Sequence, residues 1–300
     1  VRPGTYPGPV GFSTEGTLIF AGESGDSSEV EINYPTGSAV TIEKANVVFR
    51  HMTIDGIKLS NSSGTFEHNV IRGVNAIGVG ELGRTGNHKF HNNKFIEKGI
   101  RVENYKERVD GSAEIKGNIM NINSGAGVCL NNINVKNVSG NIIRTNHEKA
   151  TGMTFQGFHI DLPDQISQNK IVMLKGGVGM EFQFGAYPNV SLINNMITIN
   201  SHDQSAGISF QEGGYLLYYN TILLYGNGTS GSALLNEYPE ITSIQLKNNN
   251  LVNLAGGPVL RSSTYQDPYN GISQSDYNNL YTTGDVLVIW IEQLFKNLDQ

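Results

Sequence analysis

Apolar and polar residues alternate in short segments along this chain, and nothing between those segments carries helical spacing. The clearest segments are Gly99-Ile-Arg-Val-Glu103, Gly127-Val-Cys-Leu-Asn131, Gly152-Met-Thr-Phe-Gln156, Gly179-Met-Glu-Phe-Gln183 and Gly207-Ile-Ser-Phe-Gln211. Ala76-Ile-Gly-Val-Gly80 reads as an earlier member of the series. Side chains alternate across a strand, so Ile100 and Val102, Met153 and Phe155, Met180 and Phe182, and Ile208 and Phe210 are expected to point inward.

A second pattern keeps the same beat. An asparagine two residues before an apolar position recurs at Asn69, Asn93, Asn118, Asn141, Asn169, Asn195, Asn220, Asn249 and Asn278, at intervals of 24, 25, 23, 28, 26, 25, 29 and 29 residues. Such a repeat decides the architecture, since strands this short cannot build βαβ units. The expected fold is all-β, a right-handed parallel β-helix of about ten coils of ~25 residues, with equivalent strands stacked ~4.8 Å apart. A leucine-rich horseshoe would need a Leu-x-x-Leu-x-Leu consensus, which is missing, and an antiparallel sandwich would not keep the beat. The recurring asparagines are expected to sit in turns, tolerate left-handed backbone and form an amide ladder from coil to coil.

The helix is expected to occupy residues 1–284, with 285–300 forming a last strand and an amphipathic cap in which Trp290, Leu294, Phe295 and Leu298 cover the final coil. The opening Val1-Arg-Pro-Gly-Thr-Tyr6 is already turn and strand, with neither a leader nor a cap, which predicts a mature or trimmed chain.

Composition narrows the partners. Thirty-six glycines suit many tight turns, and 16% charged residues with a net charge of −6 give no basic footprint for nucleic acid. Lysines and arginines are dispersed and no apolar run reaches about 18 residues, so membrane insertion is not expected. Cys129, the single cysteine, excludes an intramolecular disulfide framework.

The opening Pro3-Gly-Thr-Tyr6, the coil Val47-Val-Phe-Arg-His-Met-Thr-Ile-Asp-Gly56 and the Asn-Asn-x-Ile coils resemble the pectate-lyase-like right-handed β-helix superfamily. Gly207-Ile-Ser-Phe, Tyr219-Asn-Thr-Ile and Ser275-Asp-Tyr-Asn-Asn-Leu-Tyr281 are similar to β-helix regions of secreted or cell-surface proteins of Bacteroidetes-type bacteria. The resemblance covers nearly the whole chain and implies an extracellular or cell-surface protein, monomeric, that engages polysaccharide. Superfamily members include polysaccharide lyases, glycosidases and non-catalytic adhesion modules, and fold does not choose among them. The clustered aspartates of the polygalacturonases and the calcium aspartates of the pectate lyases are not found in this sequence.

Aligning the strands predicts two outward columns on one long face. One runs Gly78, Arg101, Cys129, Thr154, Glu181, Ser209; the other runs Gly80, Glu103, Asn131, Gln156, Gln183, Gln211. Polar groups at coil spacing match the repeating hydroxyls of a glycan. Glu103, Tyr105, Asn131, Gln156, Glu181, Gln183, Gln211 and Glu212 are therefore the expected substrate-binding residues. β-Elimination from a uronate needs a cation for the enolate-like carboxylate and a base for the C5 proton. Arg101 or Arg108 is the candidate cation, and Lys106, Tyr105 or His159 the candidate base. Arg101 and His159 lie about two coils, roughly 10 Å, apart. No cofactor is required, although Asp161 and Asp164 offer oxygen ligands for calcium. Hydrolysis would need two carboxylates about 5–10 Å apart; Glu103 with Glu181 is too distant, and Glu212 with Glu237 comes closer. His88 and His91 have metal-like spacing but are expected on a solvent-facing strand. The leading expectation is an extracellular polysaccharide-engaging β-helix with lyase activity, and the alternative a non-catalytic structural or adhesion module.

Overall fold

The computed structural model describes residues 1–34, 37–78, 86–104, 111–157, 166–184, 190–202, 204–238, 242–262, 271–290 and 293–297. It is an all-β, right-handed parallel β-helix. Each coil contributes one strand to each of three columns, and the columns stack in parallel register. The first column contains Ile100–Asn104, Ala126–Asn131, Thr151–Gln156, Val178–Gln183, Ala206–Phe210 and Ser232–Asn236. The second contains Asn87–His91, Ser112–Lys116, Asn134–Ser139, Ile166–Ser167, Val190–Ile193 and Gly213–Tyr218. The third, a separate sheet of 12 strands, includes Lys94–Glu97, Ile119–Ile122, Ile142–Thr145 and Lys170–Met173. The first two columns merge in the early coils, where Val40–Arg50 pairs with Ile57–Ser60 by its front half and Ser63–Glu67 by its back half.

The alternating positions line the interior as expected. Ile100, Val102, Met153, Phe155, Met180, Phe182, Ile208 and Phe210 are all buried. Phe49, Phe66 and Phe90 stack down the second column at centroid distances of 5.6 and 4.9 Å. The aromatic stack then passes to the first column, where Phe155, Phe182 and Phe210 lie 5.0 and 5.9 Å apart. These offset ring contacts add modestly to a core held mainly by apolar burial.

The asparagines form the expected ladder between the second and third columns. From Asn69 to Asn249, each side-chain nitrogen donates to the carbonyl oxygen of the next ladder amide at 2.9–3.1 Å. The same oxygen accepts the backbone N–H of the preceding ladder residue. The second amide hydrogen reaches a strand-end carbonyl such as Phe66 O, Phe90 O or Ile115 O. The left-handed backbone is carried not by these asparagines but by their predecessors. His68, Asn92, Gly117, Gly140, Gln168, Asn194, Tyr219, Asn248 and Tyr277 have φ between 50° and 65°. The turn thus needs one residue to reverse the chain and the next to satisfy its buried polar groups.

The glycines opening the first-column strands serve close approach. A β-carbon on Gly152 would collide with the Gly179 carbonyl oxygen and the Ile171 methyl, and one on Gly179 with Gly207 and Ile197. Third-column isoleucines thereby press directly on the first-column backbone.

At the C-terminal end, Val288–Trp290 pairs with the last first-column strand, and Gln293–Phe295 returns antiparallel to it. Trp290 lies over Gly271, whereas Leu294 is 60% exposed. Leu298 lies outside the described residues.

Candidate functional site

The outer face of the first column carries the expected polar side chains in register. Arg101, Cys129, Thr154, Glu181 and Ser209 are successive partners, followed by Leu235 and Arg261. Glu103, Asn131, Gln156 and Gln183 form the neighbouring column. The expected alignment fails one coil earlier. Asn75 stands opposite Arg101 and Ile77 opposite Glu103, where Gly78 and Gly80 were expected. Glycine content drew the alignment three residues too far, whereas the strand actually begins at Val74.

The face is less exposed than its outward position suggests. Asn131, Gln156, Glu181 and Gln183 are half-buried, while Glu103 and Gln211 are 3% and 9% exposed. Arg101 Nη2 lies 2.6 Å from Glu103 Oε1, the guanidinium exposed and the carboxylate buried. Cys129, between them and Glu181, is half-buried. Burial pushes its thiol above the ordinary range, Glu103 and Glu181 push the same way, and Arg101 opposes them. That thiol is held protonated and is a poor nucleophile.

Farther along, Glu237 extends the amide column. Ser209 Oγ donates to Glu237 Oε1 at 2.9 Å, and Gln211 Nε2 donates to Oε2 at 2.9 Å. Glu212 follows Gln211 in a two-residue turn and accepts the Tyr215 hydroxyl on its backbone carbonyl. Tyr105, Lys106, Arg108, His159, Asp161 and Asp164 all lie outside the described residues. Among the described residues, no group of three His, Cys, Asp or Glu side chains could hold a metal.

His88 is a correction. It is 1% exposed and stands between Gly64 and Ala113 inside the solenoid, not on a solvent-facing strand. The small neighbours make room for the ring. Neither ring nitrogen has a hydrogen-bond partner among the described residues, and desolvation lowers its pKa to about 4.

A concave feature that sequence reasoning missed adjoins this face. A groove of about 510 Å3 opens where the third column turns into the first, lined by Tyr34, Asp55, Arg72, Glu97 and Lys98 among glycine turns. The Asp55 carboxylate accepts the Tyr34 N–H at 3.1 Å and faces Arg72 Nη1 at 3.1 Å. Asp55 and Arg72 are 17 residues apart and follow the paired strands Thr53–Ile54 and Val70–Ile71, so they hold equivalent places on adjacent coils. The available signal was the recurrence of charged-residue–glycine pairs at Asp55-Gly56, Arg72-Gly73 and Lys98-Gly99.

No family model, curated protein or solved structure matches this chain.

Proposed function

We propose that this chain is an extracellular or cell-surface protein that engages an acidic polysaccharide along the outer face of the first column, in keeping with its resemblance to the pectate-lyase-like superfamily. The observation that carries the reading is the in-register series Asn131, Gln156, Gln183, leading to Gln211 and Glu237. Side-chain amides both donate and accept, which suits a chain of hydroxyls, and a ~4.8 Å repeat lets successive coils address successive sugar groups. Arg101 supplies a fixed cation at one end, suited to a uronate carboxylate.

The experiment is calorimetric titration of the full chain with pectate, alginate and a glycosaminoglycan, alongside a neutral glycan. Binding to an acidic member, weakened about tenfold by Gln156→Ala with Gln183→Ala, supports the reading. Heats indistinguishable from dilution across the panel would sink it.

A non-catalytic binding or adhesion module is the second reading, favoured by one observation. Arg101, the described cation of the elimination scheme, is held in place by Glu103, an arrangement suited to binding a carboxylate rather than to following the charge that develops on an enolate. Appearance of the ultraviolet absorbance of an unsaturated uronate product separates a lyase from such a module.

A further inference from the structure

The groove at Asp55, Arg72 and Lys98 has the makings of a second binding site. The geometry points to it as an anchoring subsite for a sugar carboxylate, a uronic acid residue of the glycan bound on the adjoining face. The choice of a uronate rests on the functional reading above, whereas the anion site itself stands on the groove alone.

Three turns build it. Ile57 N–H bonds Gly73 O and Val74 N–H bonds Gly99 O, so the turns at Gly56, Gly73 and Gly99 stack in register. Gly56 and Gly73 have φ of 89° and 127°, and their missing side chains leave the furrow open. Arg72 and Lys98 stand on neighbouring coils, close enough that a β-carbon on Gly73 would touch Lys98 Cβ at 3.0 Å. Both cations line the groove.

Asp55 is the orienting group. Its side chain is 3% exposed, whereas that of Arg72 is 47% exposed. A buried carboxylate therefore contacts one nitrogen, Nη1, of an exposed guanidinium that lines the groove. Asp55 Oδ1 makes no geometrically good hydrogen bond and meets Arg72 only as an ion pair. A planar guanidinium engaged through one nitrogen has further N–H donors with the geometry to capture a carboxylate. Lys98 adds a positive charge beside the Asp55–Arg72 pair, and Glu97 and Tyr34 also line the groove, one an acceptor for sugar hydroxyls and the other a ring for a sugar face.

The same device recurs next door. Arg101, three residues beyond Lys98 across the turn at Gly99, is also an exposed guanidinium held by a buried carboxylate, Glu103. Groove and face thus present cations along one track, and an acidic chain can follow it from coil to coil.

The test uses the full chain with two probes, sodium galacturonate as monosaccharide and a short oligogalacturonate, and galactose as the neutral control. Ligand-observed NMR and calorimetry should show galacturonate bound and galactose not. Arg72→Gln with Lys98→Gln should weaken galacturonate at least about tenfold, while Lys247→Gln on the second column leaves it unchanged. Arg72→Gln takes the cation from buried Asp55 and should lower the melting temperature, so a cooperative unfolding transition above the assay temperature confirms that the double variant is folded. Failure of galacturonate to bind, or binding indifferent to the groove variant, overturns the subsite. Oligomer binding that survives the groove variant but is lost with Gln156→Ala and Gln183→Ala would overturn the groove and keep the face. Groove-dependent binding of the monosaccharide without any polysaccharide binding would do the reverse.

Discussion

Arg101 Nη2 and Glu103 Oε1 stand 2.6 Å apart on alternate residues of one strand, with the acid buried and the base in solvent. Removing either partner has unequal consequences. Arg101→Ala takes the cation from a buried carboxylate and should cost about 1–3 kcal/mol, less than a fully buried pair because the guanidinium is half solvated. Glu103→Gln leaves a neutral amide and should cost less. Urea unfolding of both singles and the double variant measures the coupling; equal losses for the two singles would contradict this asymmetry.

His88 should make the solenoid acid-sensitive. Its folded pKa, about 4, lies below the ordinary 6.5, so the unfolded chain binds the proton first as pH falls. The stability is complete above about pH 6.5 and drains away as pH drops toward about 4. The loss should reach about 2 kcal/mol by about pH 5. His88→Leu should flatten this part of the stability curve, measured by urea unfolding at several pH values, and an unchanged pH profile in the variant would count against it.

The ladder should fail locally and expensively. Asn169→Ala removes the oxygen that accepts from the Asn141 backbone and side chain, and the amide that satisfies Val138 O. With several buried groups left unpaired, a loss of about 3–5 kcal/mol is expected, read from denaturant unfolding. A loss under about 1 kcal/mol would mean that water replaces the amide.

Asn236 offers the opposite sign. It occupies the interior column next to Phe210 and Ser262, is 1% exposed, and neither side-chain polar atom has a hydrogen-bond partner among the described residues. Asn236→Leu should raise stability by about 1–3 kcal/mol. A lower melting temperature in the variant would show that the amide has a partner, such as ordered water.

The coil period and the inward set were legible because both follow from local spacing: nine asparagines on one beat and apolar residues at every second position. The ladder followed because asparagine is the short side chain able to accept and donate at a turn. What escaped is what turns of unequal length decide. The register around Asn75 slid by three residues because glycine content, rather than strand pairing, marked the alignment. His88 looked solvent-facing because it stands beside Lys89, yet it falls on the inward parity of Phe90. Asp55 and Arg72 meet because they follow strands paired between adjacent coils ahead of the regular asparagine beat, and the burial of Glu103 depends on packing that alternation does not encode.

The ladder amides share one further property, since all their side-chain carbonyls point the same way. Each accepts from the coil before it and so faces the N-terminal end, beginning with Asn69 Oδ1, which takes the Met52 N–H at 3.1 Å. Dipoles aligned head to tail in a dry interior polarise one another. The solenoid therefore carries an electrical axis along its length, negative toward its first coils, to which every ladder coil adds.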